Sequence, residues 1–579
     1  MRFVREITLR TKFFHFLPEL PGVNRRLNRE CSIYDILSKR KRSRVENQIG
    51  KRTSMKIDKN RLLEYLLNGL MLLAFSFLTL IAIKALDSRF QHDTACMFFS
   101  AHLIEHFHMV PYRDFFDANL PFAYLIYAVI GVTTGYHDRG IRIEEIGALA
   151  SVMAATFFAL KAFGKRLAVY ASLTFALYYL LAGYFISLQR EFFIVVLLSF
   201  TICIAFKSTK SDNWKTNLII GGLCGLSVLI KPHALPLYAF FAAYRIAMLP
   251  DRELSRKFAL KAGAVASQIG AGVLTPILIT LIYMISTGSL APFLDMALNY
   301  FPLYGMLDGR HRTITAGEKP GYLVDTSIAM IRNGALLFPP LLGVLTVAMQ
   351  PKLSDELRRK FLLLIGLALY FIVYPAFSGQ FWAYHYIPYM YCSCLLGAFV
   401  FRKIDANATG MAKIVPTVIQ VGCLLCAYQI SLSGFQTYSP TISPRGGRVD
   451  AITAFLKKNL RPGDTVQPLD WTNSVQHAML LSNAIPATYF YYDVMFYHHL
   501  SHSYPHQARA RFMSELQKSR PRFIIDIPGY EKPWPSGEDT TQEFPELKAF
   551  IKERYVKVNL EKEYAIYERT DAFPRSILP

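Results

Sequence analysis

Two short segments in the first third of the chain carry an unusual density of reactive side chains. The first reads Asp87-Ser88-Arg89-Phe90-Gln91-His92-Asp93. After a helical stretch the second reads Val110-Pro111-Tyr112-Arg113-Asp114-Phe115-Phe116-Asp117-Ala118-Asn119-Leu120-Pro121. Four carboxylates, two arginines and several aromatics are crowded together there. A carboxylate held against low-dielectric surroundings has its pKa raised towards the range in which a general base works. The plainer reading is a solvated loop in which Asp114 and Asp117 serve turns and helix caps.

Further polar residues stand at the ends of apolar runs. Arg190-Glu191 opens one run, and Lys231-Pro232-His233 joins two others. Gln380, Trp382, Tyr384 and His385 gather around Phe381. Ionisable groups in or beside membrane spans are costly to bury and are functional candidates for that reason. Each also has a bland reading. Lys231 can snorkel to phosphate headgroups. Trp382 and Tyr384 suit an interfacial aromatic belt, and His385 suits helix packing. Arg310-His311-Arg312 reads either as a plain basic loop or as part of a mobile lid over an anion.

The elements that must position these groups follow from composition. Of 579 residues, 52% are hydrophobic and 18% charged, and the mean hydropathy is +0.24. The apolar residues come in runs of about 20, the length that crosses a bilayer core. The net charge of +22 is concentrated in the first 60 residues and in short loops between apolar runs. That is the distribution of the positive-inside rule, not of a nucleic-acid binder, and no nucleic-acid-binding motif accompanies it. The expected fold is an α-helical polytopic membrane bundle of about 11–13 spans, followed by a small α/β domain.

Spans are expected near 61–86, 141–160, 167–186, 191–206, 217–231, 235–249, 262–287, 333–349, 361–377, 383–401 and 412–433. This count puts every strongly basic short loop inside. It puts the loops 87–140 and 288–332 outside, together with the soluble α/β tail 436–579. The apolar stretch 119–136 is left over and reads as an interfacial or re-entrant helix. In the tail, Val449 to Leu460 reads as an amphipathic helix with Ile452, Phe455 and Leu460 on one side. Strands are expected at Thr465-Val466 and Arg522 to Ile527, with two pairing strands between Tyr555 and Arg569. The domain scheme is a basic cytoplasmic tail (1–60), a membrane domain (61–435) and the α/β tail.

Residues 1–54 have no cleavable-signal pattern, and Met55 opens a compact start before the first span. The upstream stretch is read as a disordered tail or a mis-assigned start. The eight cysteines lie mostly in apolar runs, so Cys423 and Cys426 read as packing residues despite their CxxC spacing. Asn407-Ala408-Thr409 fits a glycosylation acceptor but falls on the inner side.

An acidic residue soon after the first span, a helix, a Pro-Tyr-Arg-Asp turn, then Phe-Asp and a proline before the next apolar stretch resembles the GT-C superfamily. These are integral-membrane glycosyltransferases that use polyprenyl-phosphate-linked sugars. The likeness is to the bacterial branch related to protein O-mannosyltransferases and lipid A aminoarabinose transferases. It covers most of residues 55–579, though only the first-loop motif is specific. The resemblance implies that Asp93 is the catalytic acid position and Asp117 the second acidic position before a proline. Where the family often has Asp-Glu, this chain has His92-Asp93-Thr94, so Asp87 stays open as an alternative base, with Asp93 preferred.

The roles that follow are expectations. Asp93 deprotonates an acceptor hydroxyl, and Arg190 and Lys231, with His233 or His385, stabilise the leaving phosphate. Tyr112, Arg113, Asp114 and Asp117 hold the base or acceptor. Glu191 and Arg310 complete the substrate-binding set. No cofactor is certain. A divalent metal is a candidate, with His92, Asp93, Asp117 and His385 as potential ligands, but no HExxH or close His/Asp spacing supports one. The expected partners are a polyprenyl-phosphate-linked sugar, a lipid, glycan or protein acceptor, and membrane lipid. The expected location is the inner (plasma) membrane, multi-pass, with the site extracytoplasmic. The alternative is a transporter or flippase of lipid-linked saccharides, which would more readily show paired repeats and broken helices at the midplane.

Overall fold

The computed structural model of the chain describes residues 59–89, 93–183, 186–208, 210–250, 255–333, 336–349, 353–402 and 446–572, with 418, 419 and 422. The chain divides into two units, residues 1–70 and 71–579. The described part of the first is the opening of helix α1, Lys59–Ala85. The second holds all the elements that follow.

Long apolar runs become helices because a helix satisfies every backbone polar group within itself. Among the described residues four are long and apolar enough to cross a bilayer: Tyr65–Ala85, Asp138–Leu160, Arg256–Ser286 and Asp355–Ser378. Shorter ones pack between them. In chain order after α1 the helices are α2 (Asp93–Phe107), α3 (Pro121–Thr134), α4 (Asp138–Leu160), α5 (Lys165–Leu181), α6 (Arg190–Lys207), α7 (Trp214–Ile230), α8 (Leu237–Ala247) and α9 (Arg256–Ser286). There follow α10 (Leu290–Tyr304), α11 (Lys319–Asn333), α12 (Phe338–Ala348), α13 (Asp355–Ser378) and α14 (Ile387–Gly397). The spans expected from 141 to 401 each overlap one of these helices, of which α4, α9 and α13 are long and apolar enough to cross a bilayer. The span expected at 412–433 lies outside the described residues apart from 418, 419 and 422.

The leftover stretch 119–136 forms α3, which has 14 residues. At 1.5 Å per residue it extends about 21 Å, short of a bilayer core. Pro121 starts it, and Gly135 ends it in the left-handed conformation at φ 62°. The loop 288–332 is largely helical, holding α10 and most of α11.

The C-terminal region is an α/β unit on a five-stranded mixed sheet of order β2-β1-β3-β5-β4. The strands are β1 (Thr465–Leu469), β2 (Ile485–Pro486), β3 (Phe523–Asp526), β4 (Tyr555–Lys557) and β5 (Ala565–Arg569). β1 runs parallel to both β2 and β3, whereas β5 is antiparallel to β3 and β4. Burial on both faces of β3 accounts for its unbroken apolar run Phe523-Ile524-Ile525. Helix α15 (Arg448–Asn459) buries Ile452 and Leu456, and Phe455 packs edge-on to Phe523.

The most extensive helix contact in the bundle joins α7 and α9. Small residues make it: a Cβ on Gly221 would lie 2.0 Å from the Ile269 carbonyl oxygen, and one on Gly225 would lie 2.4 Å from that of Val273. From the other side, a Cβ on Gly272 would lie 2.3 Å from the Leu218 carbonyl oxygen. Backbone-to-backbone approach of this kind is how helices associate without a hydrophobic driving force between them. Gly221→Leu is therefore expected to destabilise the protein by about 1–3 kcal/mol through overpacking. Gly222→Leu should change little, because the nearest atom to its added Cβ is 4.0 Å away. Thermal unfolding of the two variants in detergent, measured side by side, checks this.

Candidate active site

Asp93 is the first residue of α2, where the helix dipole favours a negative charge. The next ten residues, Thr94 to Leu103, are all buried, so the helix is fixed in the interior and its acidic end is fixed with it. Thr94 Oγ1 donates to the Ser187 carbonyl at 2.9 Å. Tyr384 Oη donates to Asp93 Oδ2 at 3.2 Å across 291 residues of sequence. Asp87 is exposed in the turn that follows α1.

Three separate segments bring charge to the same place. Glu191, in the first turn of α6, is fully buried, and its Oε1 pairs with Lys231 Nζ from the turn after α7. His385 Nε2 lies 3.7 Å from the same oxygen, and its Nδ1 is 2.9 Å from Ser378 Oγ. Lys231 Nζ is 5.8 Å from the ring centre of Tyr384, the residue that holds Asp93. Arg190, adjacent to Glu191, donates from Nη1 to Asn119 Oδ1. Among the described residues, Glu191 Oε2 and Arg190 Nε are buried without a hydrogen-bond partner.

Electrostatics divides the basic groups. Burial pushes His385 well below the usual histidine range, and the cations Lys231 and Arg190 push it further the same way. Burial and Lys231 take His233 down to about 4. Both imidazoles are therefore neutral at neutral pH. Neither is then the cation suggested by sequence, and the His385 ring meets Ser378 Oγ. Burial also lowers Lys231, to about 8, with Glu191 pulling in the opposite direction. The positive charge of the site comes from Arg190 and Lys231.

Asp117 lies in a different setting. It is 1% exposed, and its carboxylate accepts from Ser100 Oγ at 2.9 Å and Tyr491 Oη at 2.7 Å on Oδ2. On Oδ1 it accepts from the Asn119 backbone N–H at 3.2 Å and from Asn119 Nδ2 at 2.6 Å. Burial pushes Asp117 above the usual carboxylate range, while these hydrogen bonds and Arg190 draw it back. Asn119 thus links Asp117 to Arg190. A carboxylate saturated by four neutral donors is a poor metal ligand. Among the described residues no three His, Cys, Asp or Glu side chains gather in a way that could hold a metal ion, and His92 lies outside those residues.

The remaining sequence candidates are placed around this centre. Tyr112 is buried in a left-handed turn at φ 65°, and its hydroxyl donates to the Asn119 carbonyl. Arg113 is exposed and forms a bidentate pair with Asp114 at 2.8 Å on each arm, with a third bond to the Thr287 carbonyl at 3.1 Å. Its hydrogen bonds thus go to its own neighbour and to the 287 turn, and none goes to Asp93. Arg310 is exposed, with its backbone N–H on Asp308 Oδ1. The turn carrying it is tied to the C-terminal unit: Thr313 N donates to the Ser536 carbonyl at 2.8 Å, and Ser536 N donates to the His311 carbonyl at 3.0 Å.

Sequence reasoning missed the residues that hold the first loop. Tyr491 binds both Asp117 and Ser100, and Tyr489 Oη donates to the Tyr112 carbonyl at 2.8 Å. Phe116 N donates back to the Tyr489 carbonyl at 2.8 Å. The signal available was the aromatic run Tyr489-Phe490-Tyr491-Tyr492 in an otherwise polar tail. A second tie is the fully buried Arg142. It donates to Glu145 Oε2 at 2.6 Å and to the carbonyls of Ser88 and Arg89 at 3.1 and 2.6 Å. Asp138 meets Arg89 Nε at 3.2 Å and His477 Nε2 at 3.1 Å. Tyr491→Phe removes one donor to a buried carboxylate without opening a cavity. It should cost about 2 kcal/mol and speed amide exchange at 115–119, as read by thermal unfolding and hydrogen exchange. Tyr530→Phe, at a side chain 75% exposed, is the control expected to change neither.

No protein-family model matches the chain, and no curated protein matches it in sequence. Solved structures do match. ArnT from Cupriavidus metallidurans bound to undecaprenyl phosphate superposes with a TM-score of 0.50 at 11% identity, covering 86% of this chain and 98% of that one. The archaeal oligosaccharyltransferase AglB from Archaeoglobus fulgidus, in complex with an inhibitory peptide and a dolichol-phosphate, gives 0.45 at 14% identity, with 80% and 69% covered. At these identities what is shared with ArnT is the fold. The chain therefore has the fold of ArnT, here an α-helical polytopic bundle with a C-terminal α/β unit.

Proposed function

We propose that this chain is an integral-membrane glycosyltransferase. It moves a sugar from a polyprenyl-phosphate carrier to an envelope acceptor (lipid, glycan or protein) on the extracytoplasmic face. The observation that carries this reading is the meeting of one carboxylate, Asp93, with two cations, Arg190 and Lys231, drawn from three different helix ends and joined through Tyr384. A base and an anion site side by side are what displacement of a phosphate leaving group needs. The relative that shares the fold is described as bound to undecaprenyl phosphate, which supports the same class of carrier here.

In the proposed reaction Asp93 takes the proton of an acceptor hydroxyl. The acceptor oxygen attacks the anomeric carbon as the bond from that carbon to the phosphate oxygen breaks. The bonding electron pair stays on the phosphate, and Lys231 and Arg190 offset the charge that develops there. A single displacement inverts the anomeric configuration. Glu191 orients Lys231, and His385 and His233, being neutral, contribute hydrogen bonds. Asp117 acts as a positioning residue, setting Arg190 through Asn119. Tyr112, Arg113 and Asp114 shape the loop around it, and Arg310 stands at the rim.

Asp93→Asn keeps the side-chain shape and removes the base. It should lower transfer from a polyprenyl-phosphate sugar in proteoliposomes by roughly 10²–10⁴-fold with thermal stability retained. Undiminished transfer by a folded Asp93→Asn protein would sink Asp93 as the base. The pH profile gives a second test. Lys231 loses its charge as pH rises through about 8, and with it the attraction for phosphate. Accordingly, kcat/KM, which reports the free enzyme, should fall on the alkaline side near that value. In Lys231→Arg that limb should move to higher pH, because guanidinium stays charged. An alkaline limb unmoved by the substitution would show that another group sets it.

A further inference from the structure

The chain has four tryptophans, and three of them, Trp382, Trp471 and Trp534, come together from distant parts of the sequence. His311 joins them, with ring centres 6.0 Å from Trp382 and 5.6 Å from Trp471. Trp471 continues to Trp534 at 5.7 Å, and Tyr497 packs edge-on to Trp534 at 4.5 Å. At its other end the row reaches the catalytic candidates: Trp382 is 5.5 Å from Tyr384, whose hydroxyl holds Asp93.

Two properties set this row apart from core packing. Trp382, His311 and Trp534 are only partly buried. Two buried polar groups also leave hydrogen-bonding capacity unused, one in the row and one beside it at Asp493, whose Oδ2 accepts from Tyr497 Oη at 3.4 Å. Among the described residues, Trp471 Nε1 and Asp493 Oδ1 have no hydrogen-bond partner, though their residues are 8% and 1% exposed. Asp493 is held in place through its other oxygen, which accepts from Lys532 Nζ at 3.0 Å. Trp382 is fixed by its own N–H on the Gly309 carbonyl at 3.1 Å.

We propose that this row is a saccharide subsite that binds the sugar-bearing acceptor. The chemistry fits a pyranose. Its axial C–H groups form an apolar face of slight positive charge that packs on the electron-rich face of an indole. Its rim of hydroxyls needs a donor and an acceptor, and the Trp471 N–H and the Asp493 carboxylate supply them. A lipid tail or an apolar peptide would use the rings but leave both polar groups unpaired. The assignment as acceptor subsite rests on the transferase reading above. Lys231 takes the donor's phosphate there, and the row begins at Tyr384, whose hydroxyl holds the base Asp93 that must meet the acceptor hydroxyl. Among lipid, glycan and protein acceptors, it selects one that already carries a sugar.

The tryptophans make the test direct. Trp214, the fourth, is removed as Trp214→Phe, so that emission from the full-length protein in detergent reports the row. Chitobiose and mannobiose are titrated, with glycerol as a polyol control. A saturable change with at least one disaccharide and none with glycerol is expected. Trp534→Ala should weaken it roughly tenfold, and Trp534→Phe, which keeps a ring and the fold, should largely restore it. The response should survive in Asp93→Asn. No saturable response to either disaccharide, or one indifferent to both Trp534 variants, would overturn the subsite even in a protein that transfers sugar. A saturable, Trp534-dependent response in a protein with no transfer would support the subsite and count against the transferase reading alone.

Discussion

A charge cannot be taken out of water at the end of a helical bundle unless another charge or a full set of hydrogen bonds meets it. Glu191 is fully buried, and that single fact organises the site. Its carboxylate requires Lys231, which fixes the turn after α7 against the start of α6. It draws in His385, which fixes the segment between α13 and α14. Arg190, one residue away, is anchored on Asn119 and through it on Asp117. Removing one partner of such a pair leaves an uncompensated charge and costs about 3–5 kcal/mol. The groups proposed to act on substrate are therefore also the groups that decide how the helix ends meet. The pairing is incomplete by one carboxylate oxygen and one guanidinium nitrogen.

The C-terminal α/β unit is part of the same arrangement. Tyr491 and Tyr489 close over the Tyr112 to Asp117 turn, and His477 meets Asp138 at the start of α4. The two segments that looked reactive in sequence are thus gripped from both sides, by Arg142 and Glu145 from within the bundle and by the aromatic run from the tail. Ser536 does the same for the turn at His311. Loops that would otherwise sample many conformations are held in one, which is what a site reacting through fixed geometry requires.

Much of this was legible from residue type and order. Apolar runs gave the helices, and alternation and turn residues gave the strands of the tail. The cost of placing Arg190, Glu191, Lys231 and His385 beside apolar runs marked them before their contacts were visible. Other features depend on partners too distant to read. Nothing local to Asp117 says that Tyr491, 374 residues away, saturates it. Arg142 and Glu145 look like ordinary helix charges until Ser187 and Tyr179 are found on the same carboxylate. Arg113 and Asp114 looked available and instead spend their charges on each other. The lowering of His385 comes from its burial and then from the two cations beside it, neither of which residue spacing reports.

The most direct measurement of the central claim is a structure of the full-length protein with undecaprenyl phosphate bound. The account predicts the phosphate against Lys231 Nζ and the Arg190 guanidinium, with the Lys231–Glu191 contact loosened. A phosphate seated away from both cations, with the Lys231–Glu191 pair intact, would contradict it.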